Sequence, residues 1–496
     1  MLKKINLSSL NLIYICFITV YMAIREVLPL NFLIKPTIIS LGIFFFGCVL
    51  ILLDLLTNAN CIKTRVSDLL VAFIIICCIS SLINIKYGIF GNVKLIAALI
   101  VEFFLFFSFS YGNTKEEKEK KLNCITSTLI ITWAILSLIS VLMYFFSLEY
   151  VLYGLGSWGK VTQGYSFEYN RLWGIFQDPN YASFISIISI LSSVRLGVKR
   201  KNALLRILLT LNIILQISYI LLGGSRAGLI LLFASISIIL VWGFVVRNKN
   251  DAPIKQKLKG AMLSALSICI CVLLIYGLKA SIPHFKKAVF GSSTKISASA
   301  GKVYDYLYDV SGYKYYSLND NFEIPENITD IDRLDLEEDS DVSNGRLKRW
   351  KHTLSIFIKT PIIGTSPRNV SAFAQEHNPE TLMALYGIVS HNGYLDILVQ
   401  TGIVGFVTLL AALLSAFLPF FSSIFRNNKF EDFYLFCVIF VLAASAVFIS
   451  DIYMIFSMGA FLFWLFLGFA YTSHSDNIKE GICIKLYNRF KKKDSI

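Results

Sequence analysis

Long apolar runs separated by short polar segments make up most of the 496-residue chain. Each run is close to the roughly 20 apolar residues that a helix needs to cross a membrane. Lipid leaves unpaired backbone groups unsatisfied, so runs of this length are predicted to be helices. They lie near 5–24, 31–56, 66–84, 93–111, 122–148, 177–197, 203–222, 227–246, 260–280, 390–421, 431–449 and 452–472. The pattern predicts an all-α fold, a polytopic membrane helix bundle of about 12 transmembrane helices.

One long polar segment interrupts this pattern after the ninth run. The predicted divisions are transmembrane helices 1–9 in residues 1–280, an extracytoplasmic loop in 281–389, helices 10–12 in 390–472 and a basic cytoplasmic tail in 473–496. Within the loop, apolar residues recur at steps of three and four over 344–360, which predicts a short amphipathic helix. Ser343 or Asn344 is expected to cap this helix, and Pro361 to end it.

Composition and charge narrow the class of protein. Hydrophobic residues make up 56% and charged residues 16% of the chain, against about 45–50% and 25% in soluble domains. A soluble enzyme, a disordered protein and a disulfide scaffold are therefore excluded. The net charge is +14, but the basic residues lie mostly between apolar runs, which argues against nucleic acid as a partner. With the N-terminus inside, the inner segments carry 26 Lys and Arg and the five short outer loops carry 7. This asymmetry predicts cytoplasmic termini and an external long loop.

Arg226 is the first residue suited to chemistry. It lies in GGSRAG (223–228), in an outer turn between two runs. An Arg at membrane level is costly unless it has a partner. One interpretation is a membrane-boundary residue or an ion pair. The other is an anion site, because glycines permit close backbone approach and the following helix, expected to begin near Ala227, offers its amides.

Positive charge also crowds the start of the predicted loop helix. Arg346, Lys348, Arg349 and Lys351 lie in its first turns, where cations oppose the helix dipole. A bound anion would relieve this mismatch, and a guanidinium grips phosphate with two hydrogen bonds. The alternative is a solvated basic face.

His391 lies in SHNGYLDILVQTG, where the tenth run meets the outer side. A histidine titrates near neutral pH, so it can accept a proton from an attacking hydroxyl. A structural histidine is the alternative.

Two further positions have a structural and a functional interpretation. Arg171 and GIFQDPNYAS (174–183) precede the sixth run, and Asp178-Pro179-Asn180 is a turn that also caps a helix. Glu102 lies deep inside a run. A buried carboxylate in a membrane is a functional candidate, although it can equally be ion-paired or protonated.

In this order the motifs resemble those of the O-antigen ligase / O-antigen polymerase family of bacterial envelope glycosyltransferases. The matching segments are GGSRAG (223–228), NGRLKRWKHTLSIFIKTPIIGTS (344–366) and SHNGYLDILVQTGIVGF (390–406), and GIFQDPNYAS is also similar. Ten residues separate His391 from Gly402, which is the ligase-type spacing. The chain departs from the family where Trp350 stands four residues after Arg346 in place of Leu, so the functional loop arginine is left open. The polymerase-type spacing of Arg, fifteen residues and Gly is absent after Arg171, Arg346 and Arg349.

The resemblance implies a substrate and a reaction. The donor would be an oligosaccharide linked through diphosphate to a polyprenol, in a bacterial inner membrane. Transfer would be inverting and would need no metal or other cofactor. It implies His391, Arg226 and Arg346 as catalytic residues and Arg349, Arg171, Asn180 and Asn392 as substrate-binding residues. The implied partners are the lipid bilayer, a glycan acceptor and a chain-length regulator.

Three functions stay open at this stage. A polymerase extends the glycan of an O-antigen or capsule by repeat units. The composition of this chain, which is rich in Ile, Lys and Asn, slightly favours a polymerase. A ligase transfers the glycan to a lipid A core. A flippase or transporter would place charges and broken helices near the bilayer midplane, where Glu102 is the one strong carboxylate.

Overall fold

The computed structural model describes most of the chain. The described residues are 7–28, 37–153, 160–166, 170–246, 254–290, 315–316, 345–387, 389–427, 429–450, 453–454, 456–473 and 480–493. Residues 317–344 of the long loop, among them the predicted caps Ser343 and Asn344, lie outside them.

Helices dominate the described residues, and each of the twelve predicted runs contains one. In chain order the helices are α1 (Leu7–Arg25), α2 (Thr37–Thr57), α3 (Arg65–Ile83), α4 (Phe90–Val101), α5 (Lys115–Phe145), α6 (Pro179–Lys199), α7 (Ala203–Leu222), α8 (Arg226–Val241), α9 (Ile254–Phe290), α10 (Arg346–Lys359), α11 (Val370–His377), α12 (Leu382–Tyr386), α13 (Gly393–Asn427), α14 (Phe430–Ser445), α15 (Met458–Ser473) and α16 (Ile482–Lys493). Ten helices in the described part of the chain are long and apolar enough to cross a membrane. The all-α polytopic fold is confirmed.

The last two predicted spans are shorter than expected. α14 and α15 each have 16 residues, or about 24 Å at 1.5 Å per residue. α15 begins at Met458 rather than near 452. Almost all of its side chains are buried, so α15 packs inside protein rather than against lipid.

The chain divides into two compact units. The first comprises residues 1–18, 37–122 and 341–496, and the second comprises residues 19–36 and 123–340. In the first, α4 continues through a π-helical turn (Glu102–Phe106) and packs against α15. The ring of Trp464 lies 4.6 Å from that of Phe103, in an edge-to-face pair. Gly468 packs directly against the Phe107 carbonyl, where a Cβ would not fit.

The second unit is held together by polar contacts between its helices. Ser186 of α6 accepts a hydrogen bond of 3.0 Å from Trp133 Nε1 of α5. Asn212 of α7 donates to Ser189 and Ser193 of α6, at 3.1 and 2.9 Å. Small residues let membrane helices approach closely, and such hydrogen bonds tie them together. The serines that recur every three residues along α6 therefore let its neighbours pack closely. This accounts for α6 being the most buried of the ten candidate spans in the described residues.

A small antiparallel sheet lies between α5 and α6 along the chain and was not predicted. Its strands are β1 (Glu149–Tyr153), β2 (Lys160–Ser166), β3 (Arg171–Gly174) and β4 (Tyr315–Tyr316), in the order β3-β2-β1-β4. Glu149 pairs with Gly164, and β4 comes from the long loop to pair with Val151 and Leu152. The loop therefore contributes a strand as well as the predicted helix.

The basic tail also contains an unpredicted helix. α16 begins next to the loop before α3, where Gly481 N donates to Lys63 O at 3.0 Å. The Asp68 carboxylate accepts from the backbone N–H groups of Ile482 and Cys483 at 2.6 and 3.0 Å. Two amides at the start of α16 thus find their acceptor on α3, as helix N-termini require.

Candidate active site

The GGSRAG turn of the second unit presents Arg226 at a helix N-terminus. α8 begins at Arg226, one residue before the predicted start, and Ser225 caps it by accepting from Gly228 N at 3.1 Å. Gly224 has φ 58°, a left-handed conformation that glycine adopts readily. The Arg226 side chain is exposed. The turn thus displays a guanidinium beside the amides that begin α8, which favours an anion.

Arg171 holds the GGSRAG turn in place through hydrogen bonds. Its Nε donates to the Gly223 carbonyl at 2.8 Å, and its Nη2 donates to Asn180 Oδ1 at 3.1 Å. The guanidinium also lies 5.3 Å from the centroid of the Trp173 ring. Arg171 is buried, so its charge is held by these contacts. The structure therefore joins Arg171, Asn180 and the GGSRAG turn, and gives Arg171 a positioning role. Substrate binding by Arg171 and Asn180 stays a prediction.

In the first unit, α10 begins at Arg346 and lies within the predicted helix 344–360. Gly345, in a left-handed conformation (φ 74°), occupies the cap position and offers no side-chain hydrogen bond. Ser343 and Asn344 lie outside the described residues, so their role as caps stays a prediction.

Like charges meet in this first turn. Arg346 and Arg349 are three residues apart on α10, so their side chains are neighbours. Partial burial lowers the pKa of Arg349, and the adjacent positive charge of Arg346 lowers it further. A bound anion would offset both the burial and the repulsion. Anion binding by Arg346 and Arg349 stays a prediction.

Trp350 adds a donor that sequence analysis treated only as part of the apolar face. Its indole Nε1 is buried and has no hydrogen-bond partner among the described residues. A buried donor without an acceptor costs about 1–3 kcal/mol. Trp350 lies one turn after Arg346, on the same face of α10. The N–H is therefore available to an oxygen of an anion held there.

His391 occupies an unusual backbone conformation at the start of α13. Its φ is 53°, a left-handed value that few residues other than glycine adopt. Such strain persists only where the surroundings impose it, and it clusters at functional sites. The His391 side chain is half-buried.

The residues on either side fix this turn. Ser390 Oγ donates to the buried Asp396 carboxylate at 2.6 Å and accepts from Asn392 N at 2.9 Å. Asn392 Oδ1 accepts from the N–H groups of Tyr394 and Leu395 at 3.0 and 3.1 Å, and so caps α13. The amide oxygen of Asn392 is therefore used in the fold, and its predicted contact with substrate stays a prediction. Sequence analysis missed Ser390 and Asp396, although an acidic residue in a first helical turn is a recognisable signal.

The segment after α14 brings Arg346 and the His391 turn together. The Arg346 guanidinium lies 5.8 Å from the centroid of the Phe448 ring. The N–H of Gly393, two residues after His391, donates to Ala446 O at 2.7 Å and Ile449 O at 3.1 Å. One stretch of four residues, 446–449, thus contacts both elements. Within the first unit, Arg346 and the turn that carries His391 therefore share this segment as a neighbour, and their catalytic roles stay predictions.

Two glycines of the family-like motifs explain the spacing between these elements. α13 bends at Gly402 (φ 65°), and Ile403 N donates to Pro361 O at 2.8 Å. A Cβ on Gly402 would collide with the backbone of Ile362, and a Cβ on Gly364 would lie 2.5 Å from Gln400 C. The turn that ends α10 therefore docks into the bend of α13. About three helical turns separate His391 from the bend at Gly402. Because the end of α10 docks at this bend, the number of residues between His391 and Gly402 sets the distance from α10 to His391.

Glu102 lies apart from these residues. Its carboxyl group is completely buried in the π-helical turn, and neither oxygen has a hydrogen-bond partner among the described residues. An ionised carboxylate is very unfavourable in such surroundings. Of the two interpretations left open by the sequence, the structure favours the protonated form over an ion pair.

The fold is that of a polytopic membrane protein. Its candidate residues Arg226, Arg346 and His391 lie at or next to the starts of α8, α10 and α13. Residues 211–410 match the family model described as O-antigen ligase, which confirms the resemblance to the O-antigen ligase / O-antigen polymerase family. The match contains Arg226, Arg346, Arg349, His391 and Asn392, whereas Arg171 and Asn180 precede it. No curated protein matches the chain.

No group of three His, Cys, Asp or Glu residues that could hold a metal ion occurs in the part of the chain that the structure describes. Asp339 and Asp341, which have the Asp-x-Asp spacing of some metal-binding motifs but lie in an ordinary run of charged residues, are outside that part.

Proposed function

We propose that this protein transfers a glycan outside the cytoplasm from a polyprenyl-diphosphate-linked oligosaccharide. The O-antigen ligase match supports glycosyl transfer as the class of reaction. The observation that carries the proposal is the shared contact of Arg346 and the His391 turn with residues 446–449. It gives a proton acceptor and an anion ligand a common support, as displacement of a diphosphate requires.

The proposed step is a single inverting displacement. The acceptor hydroxyl attacks the anomeric carbon, and the bond from that carbon to the diphosphate oxygen breaks. The electron pair leaves with the diphosphate, whose growing negative charge Arg226 and Arg346 stabilise. His391 takes the hydroxyl proton. Arg349 and Trp350 hold a phosphate oxygen, and Asn392, Arg171 and Asn180 position the substrate. Guanidinium groups supply the charge that a metal ion would otherwise provide.

Two products fit this step. We propose polymerisation of O-antigen or capsular repeat units, in which the acceptor is a second lipid-linked repeat unit. The second candidate is ligation to a lipid A core, which the ligase-type spacing of His391 and Gly402 favours. A flippase fits less well, because it would need charged groups near the midplane, where Glu102 is buried and has no polar contact in the described structure.

Purified protein in nanodiscs tests the reaction and its product together. With lipid-linked oligosaccharide alone, a polymerase is expected to form a ladder of longer lipid-linked glycans on a gel. A ligase gives product only when a lipid A core acceptor is added. If neither mixture releases polyprenyl diphosphate, the proposal of glycosyl transfer is refuted. The protein is also reconstituted into liposomes. Movement of labelled lipid-linked oligosaccharide from one leaflet to the other, without bond cleavage, would support the flippase instead.

We also propose a bacterial inner-membrane location with both termini cytoplasmic, on the basis of the charge asymmetry. A single cysteine replacing the exposed Glu380, in a cysteine-free background, should react with an impermeant thiol reagent in cells with a permeable outer envelope. A cysteine replacing the exposed Lys120 should react only after the inner membrane is broken. The opposite pattern would reverse the orientation.

A further inference from the structure

A polar cavity of about 230 Å³ lies in the first unit, remote from the His391 turn. Its wall includes Leu7, Asn11, Asp54, Asn60, Glu117 and Lys121. Asn60 precedes the start of α3, whereas Asn84 at the other end of α3 donates to Gly364 O at 3.0 Å. α3 has 19 residues, or about 28 Å. The cavity and the turn that ends α10 therefore lie at opposite ends of a membrane span.

Lys121 gives the cavity a buried positive charge. The residue is 5% exposed, and its Nζ donates to Asn113 Oδ1 at 3.0 Å and lies 4.4 Å from the centroid of the Phe109 ring. Glu117, one turn earlier on α5, attracts Lys121 electrostatically, but no described carboxylate lies within 4.0 Å of its ammonium group. A buried ammonium is costly unless an anion or several acceptors surround it. An anion in the cavity would meet this need.

The lining of the cavity also offers acceptors. Asn11 Oδ1 is buried and has no hydrogen-bond partner in the described structure. Asp54 and Glu117 line the same cavity, and their carboxylates favour a cation. A ligand that complements this lining carries both a negative group for Lys121 and an N–H cation for Asn11. A phosphate diester with a primary ammonium group has this combination.

An apolar groove of about 390 Å³ lies between two helices that also line the cavity, α1 and α2. Its lining residues are Leu10, Ile13, Tyr14 and Phe17 of α1 and Ile39, Gly42, Ile43 and Phe46 of α2. The polar cavity is lined by α1 near Leu7 and Asn11 and by the later part of α2 near Asp54. Polar and apolar parts thus follow one another along the membrane normal, as the headgroup and chain of a lipid do.

We propose that α1 and α2 bind one glycerophospholipid with a zwitterionic phosphate–ammonium headgroup. Its phosphate contacts Lys121, its ammonium faces Asn11 and Asp54, and one acyl chain fills the groove. Free phosphate lacks the chain and does not satisfy the groove. This site is independent of the proposed glycosyl transfer, because it lies at the other end of α3 and shares no residue with that reaction.

Native mass spectrometry of the delipidated protein in detergent tests the site. Phosphatidylethanolamine is expected to add one tightly held copy, whereas diacylglycerol with the same chains and inorganic phosphate are not retained. Lys121→Gln should weaken the lipid binding by about tenfold or more, the effect of losing a charged hydrogen bond. Lys120→Gln makes the same charge change at the exposed neighbouring residue and should bind as wild type.

A second variant keeps the test decisive if Lys121→Gln folds poorly. Gly42 lines the groove, and a Cβ built on it would meet nothing within 4 Å, so Gly42→Trp introduces an indole at the groove with no clash at Cβ. It should lower lipid binding to a similar degree at an unchanged yield of folded protein. Wild-type lipid binding by Gly42→Trp, or diacylglycerol retained as tightly as phosphatidylethanolamine, would overturn the proposal.

Discussion

Replacing His391 by alanine is expected to lower turnover by about 10²–10⁴-fold, the range for losing a general acid–base group. The left-handed backbone at His391 (φ 53°) and the Ser390–Asp396 hydrogen bond hold the imidazole at the start of α13. Donor binding should survive, because the arginines rather than the histidine contact the diphosphate. The measurement is turnover per folded molecule in nanodiscs, with binding of the lipid-linked donor determined in parallel.

His391→Gln separates the roles of this residue. Glutamine keeps hydrogen bonding but accepts no proton near neutral pH. A general base predicts that the Gln variant is as inactive as the Ala variant. Near wild-type turnover would refute the base and leave an orienting histidine. A purely structural histidine would lower the amount of folded protein in both. His284→Gln, at an exposed histidine of α9, controls for loss of an imidazole alone.

Alanine at Arg226 or Arg346 is expected to lower turnover by about 10²–10³-fold, the usual effect of removing one donor to transition-state charge. The amount of protein in the membrane should change little, because Arg226 is exposed and Arg346 lies on one face of a loop helix. Lysine should restore only part of the rate, since it cannot form two parallel hydrogen bonds to phosphate. The assay is release of polyprenyl diphosphate.

The matched control for these variants is Arg368→Ala. Arg368 also lies in the long loop and is exposed, and its backbone N–H rather than its side chain contacts Asn92. Its loss should leave turnover near wild type. Full activity in both Arg226→Ala and Arg346→Ala would exclude the diphosphate clamp.

Local patterns allowed much of this fold to be predicted, and long-range pairing explains most of what was missed. Apolar length placed all twelve helices, and three–four periodicity placed α10. The sheet escaped prediction because β4 joins β1 across more than 150 residues of chain, a pairing that no local pattern encodes. β1 to β3 are also short, so their alternation is weak.

The candidate site was predicted in its residues but not in its geometry. Arg226, Arg346 and His391 stood out by charge and position. Sequence alone did not reveal that Arg171 binds the Gly223 carbonyl, or that Asp396 holds Ser390 beside His391. Both contacts depend on which side chains face each other in the folded chain. The buried Trp350 N–H was missed for the same reason, because a tryptophan on an apolar stripe usually serves packing.

The short α14 and α15 have a consequence for competition between transfer and hydrolysis. Each is about 24 Å long, whereas the hydrocarbon layer is about 30 Å thick. The segment 446–449, which contacts Arg346 and the His391 turn, follows directly on α14. We therefore expect this segment to lie below the headgroups. Water is scarce at that depth, so a sugar hydroxyl delivered by its own lipid anchor has the advantage over water as the nucleophile.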